Sequence, residues 1–414
     1  MKKPGFYVTL LLSLCFCACF ESKTVTLWTD RPEFAIYAEY FNAAQAEYKV
    51  ETRYFESLSL ELANSETSPD IAAGNWLKNT STRVLFSPVD DLLKPDGEKM
   101  KNSFYPHLLA LGNIEGKQYL LPVSFNIPAL VFARNNSYLL PNSFTVALDE
   151  IKELGKAYNT ETNGIYSRMG FSPSWSDDFL FMTATLFNTS FREAAPLAWD
   201  PEALERAMVY VRDWIEDANR GLRAEDDFVF KYFYDPPSNL ALSGRILFTY
   251  MNSADLFTLT QEKQANLDFR WIAEKDIIPL SEEAVYMGIC KKGAAKKAAK
   301  VFTRWFFQED TQRHLLEFSQ DKWLTETFFG IGNGFSALRT VTEYIFPQFY
   351  PNLLGHMPPE DFLSPPNILP RNWTAIKERV ILPYLHDRIR NDNRNDIRSL
   401  ERRLSEWVRL NRDL

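Results

Sequence analysis

Short apolar runs alternate with longer amphipathic stretches from residue 24 onward. The strand-like run Thr24 to Thr29 is followed by apolar positions from Phe34 to Ala44. These recur at three- and four-residue spacing, which is typical of a helix with one buried face. Lys49 to Phe55 and Pro69 to Gly74 repeat the strand signal, with a short helical piece between them. This alternation predicts a doubly wound α/β domain at the start of the chain.

Two later extended stretches carry prolines within a strand-like pattern. The first, residues 116–135, contains Pro122 and Pro128, and the second, residues 276–292, contains another. Because proline is tolerated at sheet edges and between domains but not in a central ladder, we expect the chain to cross between two lobes in both stretches. The three glycines between Gly330 and Gly334 indicate a third, flexible passage.

A second α/β pattern lies between the two crossings. Its clearest helix is predicted from Pro201 to Arg220, with Asp200 as its N-cap and Gly221 just beyond its end. A chain of 414 residues is also longer than one hydrophobic core usually serves. The sequence therefore predicts an α/β protein of two lobes, each a mixed sheet flanked by helices and joined by hinge crossings. We expect an N-terminal lobe of residues 24–127 and 281–330 and a C-terminal lobe of residues 128–280 and 331–414.

The first residues of the chain indicate export. Two lysines precede an apolar run from Phe6 to Ala18 that is too short to span a bilayer, so residues 1–18 are predicted to be a cleaved signal peptide. Cys19 follows the small residue Ala18, which resembles the cleavage site of a bacterial lipoprotein. That resemblance implies an acylated Cys19, a tether of residues 19–23 and a body held on the periplasmic side of a bacterial membrane.

The amino-acid composition argues against several classes of function. The net charge of −8 argues against a nucleic-acid partner. Three of the four cysteines lie at or before position 19 and the four histidines are scattered, so we expect no disulfide framework, no metal site and no other cofactor. No arrangement of nucleophile and base indicates a catalytic residue. Aromatic residues make up 14% of the chain, including ten tryptophans, which leaves some of them free to line a binding cleft.

Polar and aromatic side chains follow each of the first three predicted strands. Because ligands bind beyond the carboxyl ends of the strands in a doubly wound sheet, these residues are candidates for one wall of a cleft. Asp30 is also placed to cap the helix that follows it. The candidates are Trp28 and Asp30 after the first strand, Glu56 after the second, and Asn75 and Trp76 after the third.

Several segments together resemble a known family. They are VTLWTDRPEF, SPDIAAGNW, YLLPVSFNIPALVFARN, GRILFTYMNSAD and AAKKAAKVFTRWFFQEDTQRHLL, and they are spread over nearly the whole chain after residue 23. In this order they resemble the family 1 extracellular solute-binding proteins of ABC importers, of the maltose- and glycerol-phosphate-binding type. The resemblance implies a class II periplasmic-binding-protein fold whose two lobes close on a solute. It also implies a monomer that delivers the solute to the transmembrane subunits of a permease.

The resemblance places further ligand-binding candidates, position by position. In the first lobe and the crossings they add to the strand-end residues, and in the second lobe they form the opposite wall. The residues so implied are Trp28, Asp30, Asn75, Trp76, Asn126, Trp175, Tyr250, Asn252, Tyr286, Phe335 and Ser336.

A carbohydrate is the favoured solute, because aromatic faces suit sugar C–H groups while carboxylates and amides bind the hydroxyls. A polyol, a glycerol phosphate or a peptide stays open as the ligand. Two other functions are alternatives: an exported glycoside hydrolase, since carboxylates beside tryptophans also describe a glycosidase cleft, and a surface lipoprotein with a structural or adhesive role.

Overall fold

The structure is a computed structural model that describes residues 23–93, 98–195, 197–391 and 397–411. The predicted signal peptide and the predicted lipid-bearing Cys19 lie outside the described residues. In the part of the chain that is described, no helix is both long and apolar enough to cross a membrane.

Ten strands of the described residues form two sheets. They are β1 Thr24–Thr29, β2 Lys49–Tyr54, β3 Ile71–Gly74, β4 Leu120–Phe125, β5 Pro128–Ala133, β6 Thr145–Val146, β7 Phe248–Asn252, β8 Leu267–Ile272, β9 Val285–Ile289 and β10 Phe335–Ser336. Shorter two-stranded ribbons pair Asn113–Ile114 with Lys117–Gln118, Thr160–Thr162 with Ile165–Arg168, Arg192–Glu193 with Leu197–Ala198, and Ile278–Pro279 with Leu363–Ser364.

The longer helices cover the faces of these sheets. They are α1 Glu33–Ala44, α2 Leu148–Tyr158, α3 Asp177–Leu186, α4 Pro201–Asn219, α5 Leu222–Tyr232, α6 Lys296–Phe306, α7 Glu309–Asp321, α8 Leu382–Arg390 and α9 Leu400–Leu410. Shorter helices are Leu58–Asn64, Thr80–Arg83, Glu98–Ser103, Pro106–Ala110, Pro237–Leu242, Ser253–Phe257, Gln261–Asn266, Phe346–Phe349 and Trp373–Ile376, with π-helical turns at Val341–Ile345 and Lys377–Ile381.

The first lobe is built on a six-stranded sheet in the order β10-β4-β9-β3-β1-β2 within the described chain. β1 runs parallel to β2 and β3, as the strand–helix alternation predicts, and β9 runs antiparallel to both β3 and β4. The second lobe is built on a four-stranded sheet in the order β7-β5-β8-β6. The predicted α/β class with two sheets is therefore confirmed.

The first crossing joins the two sheets through Asn126 and Ile127, between β4 and β5. Pro122 lies within β4, which has neighbours on both sides, so the expectation that proline avoids a central ladder is wrong here. The ladder accommodates it because the register between β4 and β9 shifts beside Tyr286, the partner of Pro122. Pro128 is the first residue of β5, where the lost N–H matters least.

The glycine-rich third passage is closely packed rather than open. A Cβ on Gly330 would lie 2.4 Å from the carbonyl oxygen of Gly334, and Gly330 has a φ of 57°. The N–H of Gly332 donates to the Tyr37 hydroxyl at 2.9 Å. Glycine is thus needed for a left-handed backbone in a tight space. The passage continues into β10, which pairs with β4 of the first sheet although residues 331–414 were expected in the second lobe.

The protein has more than one apolar cluster, and the first of them, around the first sheet, continues onto Phe269 and Trp271 of β8. In the first, α1 and α6 meet on the sheet, where Phe34 stacks on Phe306 with ring centroids 5.5 Å apart. In the second, Met208 of α4, Leu180 of α3 and Leu385 of α8 belong to one buried cluster. The predicted α4 is confirmed, and the Asp200 carboxylate caps it by accepting the N–H groups of Glu202 and Ala203 at 2.9 Å.

Candidate functional site

The carboxyl ends of β1 and β3 meet at Asp30 and Asn75, because the two strands are adjacent and parallel. The N–H of Asn75 donates to Asp30 Oδ2 at 3.0 Å. A Cβ on Gly74 would lie 2.4 Å from Asp30 Oδ1, so glycine leaves the room that this carboxylate occupies. Asp30 therefore does not cap α1, as the sequence suggested, since its oxygens face the end of β3 instead.

Burial controls the charge of Asp30. Loss of water around the side chain raises its pKa to about 6, although the Arg31 guanidinium and the Asn75 N–H both act to lower it. The Asp30 carboxylate is therefore poised to change protonation in a mildly acidic medium.

Arg31 connects the loop after β1 to the second crossing electrostatically. Its Nε lies 3.6 Å from Asp30 Oδ1, and its Nη2 lies 3.6 Å from Oε2 of Glu283, in the second crossing. Burial raises the pKa of Glu283, with Arg31 opposing that shift. Nε of Arg31 and Oδ1 of Asn75 are both buried and have no hydrogen-bond partner among the described residues.

A second group of charges lies beside the first. Nζ of Lys377 is 2.9 Å from Asp178 Oδ1, at the start of α3, and 2.5 Å from Glu282 Oε1. The ammonium also lies over the Phe181 ring, 4.7 Å from its centroid. Burial lowers the pKa of Lys377, but the two carboxylates outweigh it and the net pKa is raised. We call Asp30, Arg31, Glu282, Glu283, Asp178 and Lys377 the cleft charge cluster.

Two cavities adjoin this cluster. The smaller one, about 120 Å³, lies between the lobes and is lined by Tyr250 and Asn252 together with Asp178, Glu283 and Lys377. Burial raises the pKa of the Tyr250 hydroxyl well above its usual value, so it remains a neutral hydrogen-bonding group.

The larger cavity, about 560 Å³, lies in the second lobe among α3, α4 and the second crossing. Tyr210 and Arg206 stand on its wall. The two cavities share Phe181, Thr185 and Glu282 as lining residues, so they meet along this side of α3. The larger volume is within the range of small-molecule sites, whereas the smaller one falls below it.

The lobes also touch each other through hydrogen bonds at two places. The N–H and hydroxyl of Thr80 donate to the Glu193 carboxylate at 3.0 and 2.8 Å, and the Ser59 hydroxyl donates to the carbonyl of Arg371 at 3.1 Å. The two lobes are thus in direct contact at Thr80 and at Ser59.

Trp76 has an unusual backbone for a bulky residue. Its φ is 55°, in the left-handed region, and its indole packs against the apolar cluster of the second lobe. Such strain persists only where surrounding contacts hold it, and it is often found at binding sites. The Asn79 side chain accepts the N–H groups of Ser81 and Thr82 at 3.1 and 3.0 Å, which fixes the loop after Trp76.

Five of the residues predicted from the sequence lie at or beside these features. Asn75 donates to Asp30, Tyr250 and Asn252 line the smaller cavity, and Trp76 packs against the second lobe.

Four others lie inside the first lobe with protein partners. Trp28 packs on Phe55 with centroids 4.8 Å apart, and the Tyr286 hydroxyl donates to the carbonyl of Leu108 at 2.9 Å. The last two, Phe335 and Ser336, are buried in β10. Their contact with a solute stays a prediction.

The remaining three predicted residues occupy separate surroundings. Glu56 is exposed. Trp175 lies against Phe228 and Phe233, with ring centroids 5.8 and 4.8 Å away. Asn126 joins the hinge passages: Nδ2 donates to the Asn333 carbonyl at 2.9 Å, Oδ1 accepts the Ser253 hydroxyl at 2.6 Å, and its carbonyl accepts the Ser281 N–H at 2.8 Å.

Sequence reasoning missed most of the cleft charge cluster. The sequence does place two carboxylates, Glu282 and Glu283, in the second crossing, and a third, Asp178, at the start of a helix. These positions could have marked the three residues as candidates. Nothing local marks Lys377, because its partners are 95 and 199 positions away. Among the described residues, no group of three His, Cys, Asp or Glu side chains could hold a metal ion.

Solved structures share this architecture. A maltose/maltodextrin-binding domain from Bdellovibrio bacteriovorus, bound to maltotriose, has a TM-score of 0.58 at 13% identity, covering 93% of this chain and 100% of that one. An ABC substrate-binding protein from Listeria monocytogenes, in complex with cycloalternan, has a TM-score of 0.59 at 14% identity, with coverages of 92% and 96%.

A third structure, a cyclic α-maltosyl-1,6-maltose binding protein from Arthrobacter globiformis, has a TM-score of 0.59 at 16% identity, with coverages of 92% and 96%. These likenesses confirm the predicted two-lobed binding-protein fold. No curated protein matches the chain in sequence. The sequence model of the family described as bacterial extracellular solute-binding protein matches residues 37–321, most of the chain. This chain therefore belongs to the bacterial extracellular solute-binding protein family.

Proposed function

We propose that this protein captures a sugar or oligosaccharide between its lobes and delivers it to the transmembrane subunits of an ABC permease. The observation that carries the proposal is a pair of buried polar atoms without a hydrogen-bond partner at the cleft charge cluster: Arg31 Nε, which lies 3.6 Å from Asp30 Oδ1, and Asn75 Oδ1. A buried donor or acceptor without a partner is costly, and a hydroxyl-rich ligand supplies both kinds of partner.

The chemistry of the cleft suits a neutral carbohydrate. Phe181 and Tyr250 contribute apolar surface to the smaller cavity, while Asn252 and the carboxylates can accept hydrogen bonds from hydroxyls. The two cations of the cluster, Arg31 and Lys377, already face carboxylates, which disfavours a phosphorylated ligand. The sugars named for the three solved structures point the same way.

We further propose that the larger cavity takes the outer units of an oligosaccharide. It adjoins the cleft at Phe181 and Glu282, and its lining combines Phe187 and Tyr210 rings with the Arg206 guanidinium. A monosaccharide would then use the cleft alone, while a longer chain would extend along α3.

The lipid anchor, the location and the lobe limits belong to the proposal as well. Acylation of Cys19 would hold the body, as a monomer, on the periplasmic side of a bacterial membrane close to the permease.

The pairing of β10 with β4 favours extending the first lobe from residue 330 to at least Ser336. The hydrolase and the adhesive alternatives are not favoured, because the matched family consists of solute-binding proteins.

A thermal-shift screen tests the function. We expect one class of di- to tetrasaccharide to stabilise the protein by about 2.7 kcal/mol at 100 times its dissociation constant, without being cleaved. Stabilisation by a peptide or a glycerol phosphate but by no sugar would overturn the carbohydrate assignment, and sugar turnover would favour the hydrolase. Cys19→Ala should release the protein from membranes while leaving solute affinity unchanged.

A further inference from the structure

The loop after β3 in the first lobe makes two different contacts with the second lobe. It runs from Trp76 to Thr80, and we call it the clasp loop. At its start the Trp76 side chain packs against the apolar cluster of the second lobe. At its end the N–H and the hydroxyl of Thr80 donate to the Glu193 carboxylate at 3.0 and 2.8 Å. One short loop therefore binds the neighbouring lobe through both apolar and polar groups.

The first lobe holds the clasp loop in one shape. Asn79 is buried within it, and its Nδ2 donates to the Trp76 carbonyl. Its Oδ1 accepts the N–H groups of Ser81 and Thr82 at 3.1 and 3.0 Å. A loop that is already ordered loses little conformational entropy when it meets a partner, so more of the contact free energy is left to hold the lobes together.

The receiving surface on the second lobe is also fixed. Glu193 lies in the ribbon that pairs Arg192–Glu193 with Leu197–Ala198, and its N–H donates to the carbonyl of Ile368 at 2.7 Å. Three positions further along, the carbonyl of Arg371 accepts the Ser59 hydroxyl of the first lobe. Residues 368–371 of the second lobe thus support both of these hydrogen-bonded contacts.

These contacts are separate from the passages between the lobes and from the cavities. Thr80, Glu193, Ser59 and Arg371 all lie outside the two crossings and the glycine-rich passage. None of these four described residues lines either cavity. The lobes cannot separate at this point without breaking the contacts, whereas removing the contacts leaves the passages and the cavity walls unchanged.

We propose that the clasp loop by itself holds the two lobes in the closed form, the form in which these contacts are made. Hydrogen bonds to a carboxylate are stronger than those between neutral groups, and Glu193 accepts two of them from Thr80. The packing of Trp76 adds to them, and it holds this residue in its strained backbone conformation, with a φ of 55°.

The clasp itself rests on the fold alone. Its use rests on the proposed function: a contact that favours the closed form adds to the affinity for an enclosed solute without touching that solute.

Small-angle X-ray scattering of the protein without added sugar tests the proposal. The test variant carries Thr80→Val and Glu193→Ala, which removes the hydroxyl and the carboxylate of the polar contact. We expect the ratio of closed to open molecules to fall about 10-fold or more, because two hydrogen bonds to a charged acceptor are lost. The radius of gyration should then exceed that of the wild type, since separated lobes make a more extended particle.

The matched control carries Thr162→Val and Glu153→Ala, the same chemical changes at two exposed residues of the second lobe. Its radius of gyration should equal that of the wild type. Glu193→Gln alone keeps the shape of the side chain and removes only its charge, so we expect a smaller increase in the same direction. Circular dichroism establishes that each variant is folded.

An unchanged radius of gyration in the Thr80 and Glu193 variants, or an equal increase in the control, would overturn the clasp. Because no sugar is added, this result does not depend on the thermal-shift screen. A clasp that fails leaves the proposed function standing, and a screen in which no sugar binds leaves the clasp standing.

Discussion

The guanidinium of Arg31, just after β1, and the carboxylate of Glu283, just before β9, approach each other, with Nη2 3.6 Å from Oε2. One residue follows β1 in the first lobe and the other lies in the second crossing. The pair therefore joins the end of β1 to the second crossing. It also places a buried cation at the proposed solute site.

Replacing Arg31 with alanine should weaken binding of the solute found in the screen by about 10- to 100-fold, because hydrogen bonds from a charged donor contribute about 1.5–3 kcal/mol. Isothermal titration calorimetry gives the affinity. The control is Arg53→Ala, an exposed arginine of β2, which should bind as the wild type does. Undiminished affinity in Arg31→Ala would show that the cleft charge cluster is not the binding site.

Asp30 should make the free energy of unfolding fall as the pH rises. Its pKa in the folded protein is about 6, above the ordinary value of an unfolded aspartate, so the native state binds more protons between these values. The stabilisation that Asp30 contributes is therefore present at low pH and is lost as the pH rises through about 6, a change of about 3 kcal/mol.

Urea unfolding of the wild type and of Asp30→Asn between about pH 4 and 7 tests this linkage. The free energy of unfolding of the wild type, minus that of the variant, should fall as the pH rises. Glu33 and Glu225, whose pKa values are also raised by burial, are present in both proteins and cancel in the difference. A difference that is constant or rises would contradict the assignment.

Gly74→Ala should destabilise the protein by about 1–3 kcal/mol, because the new Cβ would lie 2.4 Å from Asp30 Oδ1 and displace the carboxylate. Combining it with Asp30→Gly should cost less than the sum of the two changes, as expected for residues in contact. Gly155→Ala in α2, where the nearest atom is 3.4 Å away, is the control and should be neutral or stabilising. Additive costs at Gly74 and Asp30 would mean that they do not interact.

The larger cavity makes a prediction about ligand length. Arg206→Ala should weaken binding of a tri- or tetrasaccharide by about 10-fold and leave monosaccharide affinity unchanged, because only the longer chain reaches that wall. Arg212→Ala, on the same helix but away from the cavity, is the control. Equal losses for short and long sugars in Arg206→Ala would contradict an extended site along α3.

Local patterns in the sequence predict the helices and strands well. The wrong predictions concern side chains whose partners lie far away along the chain. The alternation from Thr24 to Gly74 gives the parallel strands, and Asp200 marks the start of α4. The helix-capping role expected for Asp30 fails because the Asn75 N–H, which only the fold brings close, binds that carboxylate instead. The ion pairs of Lys377 could not be predicted either, because its partners are also distant along the chain.

Asn126 brings three hinge passages to one point. It lies in the first crossing, its carbonyl accepts the N–H of Ser281 in the second, and its amide donates to Asn333 in the third. Its Oδ1 also accepts the hydroxyl of Ser253, at the start of a second-lobe helix. The three passages therefore cannot bend independently of one another. Any rotation of one lobe against the other would have to keep or break these bonds at Asn126 together, so one amide couples all three passages.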